Sequence, residues 1–138
     1  MKSLLYRLFG VGRIPESVKA QLQQEELLAL DEGIRCSLRN PFLRTPTKYR
    51  EHYFRRFTGG VALTKVRFMA FEHSRRCINI PFTDERLRKV RFAQENDDTL
   101  LVEFDPALFH KDWSGLMVHR FHTPQARLIM QLLRERLG

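Results

Sequence analysis

Between residues 59 and 71 the chain reads GGVALTKVRFMAF, two alternating apolar runs that meet at Thr64-Lys65. A period of two places Val61 and Leu63 on one face. The break is short enough for a tight hairpin into a second strand, in which Arg67, Met69 and Phe71 stand opposite Phe68 and Ala70. Arg67 is expected to point outward or to pair locally. The same period occurs upstream, where Ile34, Cys36 and Leu38 share one face and Arg35, Ser37 and Arg39 the other, predicting a half-buried strand that starts after Gly33. EHYFRRFTGGVALT, residues 51–64, reads as one strand bent at the paired glycines Gly59-Gly60.

Further strands follow from Ile78 and Ile80, closed by Pro81; from Val90 and Phe92 inward with Lys89 and Arg91 outward; from Leu100, Val102 and Phe104; and from GLMVHRFH, residues 115–122. The total is seven. EHSRR and QENDD are polar turns, PALFHKDWS is a loop, and NPFLRTPTK, with its two prolines, is expected to be a long, basic, exposed loop.

Helical spacing frames this β-rich middle. Pro15 suits a first helical turn, and Val18 and Leu22 carry an apolar stripe, predicting a helix over residues 15–24. Thr123-Pro124 is a helix start, and Ala126, Ile129, Met130, Leu133 and Leu137 then form one stripe with Arg127, Arg134 and Arg136 off it. That face must pack, most simply against an open end of a preceding barrel. Leu4, Leu5, Leu8 and Phe9, with Lys2 and Arg7, fit a short amphipathic helix. It could lie on an anionic membrane surface, or cover the barrel or a sister subunit.

The 138 residues suit one folding unit, divided here into an N-terminal helical extension, 1–32, and a β-rich domain, 33–138. With 24 Lys and Arg against 16 Asp and Glu the formal charge is +8, which favours anionic partners: acidic lipid, acidic protein or nucleic acid. Cys36 and Cys77 form no C-x-x-C pair, so free thiols in a reducing cytoplasm are expected. The N-terminal segment lacks the pattern of a signal peptide, and no run of apolar residues is long enough to span a bilayer. Localisation is therefore expected to be cytoplasmic, with peripheral attachment at the inner membrane as an extension of it.

Chemistry-bearing patterns are sparse. No metal-ligand spacing, nucleophile elbow or phosphate-cradling glycine loop occurs, so neither catalysis, metal nor cofactor is expected. His119 and His122 fall on opposite faces of a straight strand, against joint ligation. The cluster that stands out is Arg44, Lys48, Arg50, Arg55 and Arg56, because arginine can fork onto phosphate oxygens. The same residues could instead form a solvated sheet face that blunts an edge. Tyr49, Tyr53, Phe54 and Phe57, interleaved with them, could stack on bases or pack in the core.

Seven antiparallel strands closed by a C-terminal amphipathic helix is the order of a pleckstrin-homology-like barrel. The stretch from Gly60 to Arg67 resembles the G-x-L-x-L-T-x-x-R signature of GRAM and bacterial PH-like domains, and INIPFTDERLRKV resembles their middle strands. The likeness covers roughly residues 33–137. It implies an α+β fold: a mainly β, seven-stranded PH-like barrel with a capping helix and an extra N-terminal helix. The implied function is a non-catalytic binding module that engages a protein partner, a second copy of itself or an acidic lipid. In lipid-binding members a basic K-x(n)-K/R-x-R pattern crosses the first strand pair; Lys48-Tyr49-Arg50 resembles its second half, with Arg39 or Arg44 at the leading position. A small basic nucleic-acid-binding protein is the alternative.

Overall fold

The computed structural model describes residues 2–137. Two helices, α1 (Leu4–Phe9) and α2 (Glu16–Gln24), precede β1 (Leu27–Arg44), β2 (Tyr49–Thr64), β3 (Arg67–Glu72), β4 (Arg75–Pro81), β5 (Arg91–Asn96), β6 (Thr99–Phe104), β7 (Ser114–Gly115) and β8 (Met117–His122). The helix α3 (Ala126–Leu137) follows. All pairings are antiparallel, in the order β4-β3-β2-β1-β8-β6-β5, with the two-residue β7 added beside β1. The fold is thus mainly antiparallel sheet with helices, an α+β class. β4 and β5 stand at the two ends of the order and the sheet is not closed. Among the described residues no helix is long and apolar enough to cross a membrane.

Four expectations need correction. β1 begins at Leu27 rather than after Gly33, so position 32/33 lies inside a strand. The expected loop over NPFLRTPTK is mostly strand: β1 runs on to Arg44, and only residues 45–48 turn the chain into β2. Proline fits there because, on the edge of β1 away from β2, Pro41 falls between the pairings with β8 at Cys36–Arg39 and with the short β7 at Leu43–Arg44. The bulge lies not at Gly59-Gly60 but across from them, where the register shifts between Glu32 and Ile34 and Gly33 takes φ 69°. The two glycines serve close approach instead: a methyl at Gly60 would stand 2.7 Å from the Asp31 carbonyl oxygen, and one at Gly59 would collide with that of Phe71. Finally, Glu85–Lys89 forms a 3₁₀ turn, so the strand through Phe92 starts only at Arg91.

The alternation of the opening stretch holds, and both of its faces are buried. Val61, Leu63, Phe68 and Ala70 enter the main core, while Ala62, Met69 and Phe71 on the reverse face are buried under Ile14, Val18 and Leu22 of α2 and its approach. The hairpin is therefore covered on both sides. Arg67 pairs not locally but with Glu25, far away in sequence, at 3.0 Å. Ala126, Ile129, Met130 and Leu133 bury the predicted stripe of α3 in the main core, beside β5 and β6, whereas Leu137, placed on the same stripe, is exposed at the helix end.

Buried polar groups bolt the N-terminal segment to the sheet. Asp31 accepts from Lys2 Nζ at 2.6 Å and from Thr123 Oγ1 at 2.6 Å, and Thr123 Oγ1 in turn accepts from the Gln125 N–H before α3. Glu32 accepts from the Ile14 N–H at 2.7 Å, Lys19 at 3.0 Å and Tyr6 at 3.1 Å. Burial alone would raise the Glu32 carboxyl; these three donors outweigh it and hold it below its ordinary value.

Candidate binding cavity

In an antiparallel meander alternate turns fall at the same end. The β1–β2 hairpin therefore shares an end with the β3–β4 turn, and the β6–β8 connection arrives there too because β8 runs antiparallel to β1. Between them lies a cavity of about 500 Å³, within the ~300–1,000 Å³ range of small-molecule sites. One wall is Leu38, Asn40 and Leu43 of β1 with Lys48, Arg50, Tyr53 and Arg55 from the hairpin. A second is Glu72, Arg75, Arg76 and Cys77. Phe104, Phe109, His110, Trp113, Met117 and His119 complete it.

The lining changes phase along the hairpin. Leu38 and Asn40 give way to Leu43, and Arg55 and Tyr53 give way to Arg50, steps that are even on one side of the Pro41/His52 level and odd across it. His52, with φ 54°, sits at that level. The change turns Arg50 and Lys48 toward the cavity.

Charge in the cavity is one-sided. Lys48, Arg50, Arg55, Arg75 and Arg76 line it against a single carboxylate, Glu72. Arg55 is committed to that carboxylate through both of its terminal nitrogens. Arg50 lies over the Tyr53 ring, 5.1 Å from its centroid, and Arg76 donates to Gln21 at 3.2 Å. Lys48 and Arg75 make no ion pair among the described residues. Beneath these cations the surface is apolar and aromatic. Phe104 meets Phe109 edge-on at 5.1 Å, and His110 stacks on Trp113 at 4.2 Å.

His119 is only 3% exposed, stacked between Phe104 and Phe121, and its Nδ1 has no hydrogen-bond partner among the described residues. Burial, with Arg55 adding to it, pushes its pKa down to about 4, so the ring is neutral at pH 7. His122 lies across the strand, lining a different groove and within 3.3 Å of Thr99 Oγ1.

Of the five cations singled out in the sequence, Lys48, Arg50 and Arg55 come together here. Arg44 lies over Tyr49 at 5.6 Å, outside the lining, and Arg56 belongs to the groove on the reverse of the hairpin, over Phe54. Arg75 and Arg76 read as turn residues in the sequence; the meander rule, applied to EHSRR, is the signal that places them beside the first hairpin. Nothing local marks Phe109 or Trp113 as lining. Cys36 is buried and Cys77 exposed, both as free thiols. No protein-family model, curated protein or solved structure matches the chain.

Proposed function

We propose that the protein is a non-catalytic binding module of PH-like or GRAM-like kind whose cavity at the β1–β2 hairpin holds an acidic amphiphile. The acidic head, carboxylate or phosphate, sits among Lys48, Arg50 and Arg75, and the apolar body lies on Leu43, Phe104, Phe109 and Met117. The observation that carries this reading is the pairing of a one-sided cationic rim with an apolar floor in a single cavity. Such a site rewards both ends of an amphiphile, whereas free phosphate gains only the rim and a neutral alcohol only the floor. The order β4-β3-β2-β1-β8-β6-β5, with β1 joining the two halves and α3 following the last strand, supports the PH-like assignment.

Trp113 is the single tryptophan of the chain and lines the cavity. Titration with dodecyl phosphate below its micelle concentration is expected to give a saturable change in its fluorescence, with dodecanoate behaving similarly. Inorganic phosphate and dodecanol should each bind far more weakly. A flat response to both acidic amphiphiles, or equal responses to dodecanol, would overturn the reading.

A further inference from the structure

We infer that a second surface, formed by α1 and the reverse face of the β1–β2 hairpin, docks on an anionic lipid bilayer. The first observation is how α1 is held. Its N-cap Ser3 and its Tyr6 face the protein, while Arg7 is exposed: Ser3 caps the helix and bonds Thr58 Oγ1 at 2.9 Å, and Tyr6 lies against Gly33, where any side chain would collide with its ring, and donates to Glu32. Its apolar residues are left outside, Leu4 at 67%, Leu8 at 63% and Phe9 at 75% exposure, with Leu5 also exposed. The helix therefore does not cover the sheet with its apolar face, the arrangement expected if that face served the core.

The second observation is charge. Leu4 and Leu5 border a groove that also takes in Arg35, Arg39, Arg56 and Arg120, with exposed Phe54 beside them and no carboxylate among the described residues of its lining. Arg120 is paired with Glu95, while Arg35, Arg39 and Arg56 form no ion pair among the described residues. Apolar side chains projecting beside unneutralised arginines match a bilayer's two layers, acyl chains below and phosphates above. A second copy placed symmetrically on this surface would set arginine against arginine. Nucleic acid would satisfy the arginines but leave the leucines and Phe9 in water. One six-residue helix is too little for attachment by itself, so the two signals must act together.

This surface lies on the other side of the hairpin from the cavity, and the inference does not depend on what the cavity binds. The test is sedimentation of the full chain with vesicles of phosphatidylcholine alone or mixed with phosphatidylglycerol. Binding is expected to the mixed vesicles only and to fall as salt is raised. Leu8→Glu/Phe9→Glu and Arg35→Glu/Arg39→Glu should each lower it at least about tenfold while keeping the wild-type unfolding transition. Equal binding to both vesicle types, or anionic binding that neither double variant weakens, overturns the inference. So does a dimer that Leu8→Glu/Phe9→Glu converts to monomer, or tight binding of a short RNA with no binding to vesicles.

Discussion

Arg55 and Glu72 face each other across β2 and β3 as a two-point ion pair, one Nη2–Oε2 contact being 2.6 Å. The pair sits in the cavity wall, so Arg55 is neutralised before any ligand arrives, and among the described residues lining the cavity Glu72 is the one carboxylate that would repel an acidic head. Removing one partner exposes the other's charge to the cavity. Arg55→Ala should weaken binding of dodecyl phosphate, and Glu72→Gln should strengthen it by about fivefold, the equivalent of ~1 kcal/mol for a partly exposed pair. Titration of both variants checks the signs; equal shifts in the same direction would show that the pair acts only on folding.

His119 gives the fold a pH dependence of stated sign. Its folded pKa of about 4 lies below the ordinary value of 6.5, so between those pH values the unfolded chain binds the extra proton. The stabilisation is complete above pH 6.5 and is lost progressively as pH falls toward 4, by up to about 3 kcal/mol for this group. His119→Phe should remove that component. Denaturant unfolding of wild type and variant across this range would show the difference between them changing with pH; a constant difference contradicts the account.

Glu32 acts lower on the scale. Its folded pKa is depressed, so its contribution is present above its unfolded value of about 4.5 and disappears as pH falls through the folded one. Glu32→Gln should cost about 1.5 kcal/mol at pH 7, since the Ile14 N–H and Lys19 lose a charged acceptor. The cost should shrink as wild-type Glu32 protonates. Unfolding midpoints at neutral and acid pH check this.

How much of this was legible varies by element. Thr123 as helix start and the stripe through Leu133 could be read directly, because capping and the 3.6-residue period are local properties. Alternation located Val61, Leu63, Leu100 and Val102 for the same reason. It set Met69 and Phe71 opposite Phe68 and Ala70 correctly but carried no sign of what covers them, because that burial depends on α2 folding back over the sheet, a contact between segments far apart in sequence. Proline and threonine suggested a loop over residues 40–48, yet cross-strand pairing with Tyr49–Tyr53 carries β1 to Arg44. The cavity was half visible: Lys48, Arg50 and Arg55 form one charge run, while Arg75 and Trp113 reach them only through topology. Arg44 and Arg56, adjacent in the same run, fall outside because the strand alternates faces and changes phase near His52.

Leu22 tests whether α2 is integral to the domain. It is fully buried, in the cluster with Met69 and Phe71. Leu22→Ala should cost about 3 kcal/mol in a single cooperative transition. An early, separate transition, or a loss below about 1 kcal/mol, would mean that α2 is an appendage whose packing contributes little.

The central claim is that Lys48 and Arg50 hold the acidic head of an amphiphile whose body lies in the cavity. Calorimetric titration of dodecyl phosphate into wild type and Lys48→Ala/Arg50→Ala, at low ionic strength and below the micelle concentration, tests it most directly. Wild type is expected to bind at one site per chain, and the double variant at least about tenfold more weakly with an unchanged unfolding transition, since both side chains are exposed and outside the core. Equal affinity in the two proteins, or no saturable binding by wild type, would contradict it.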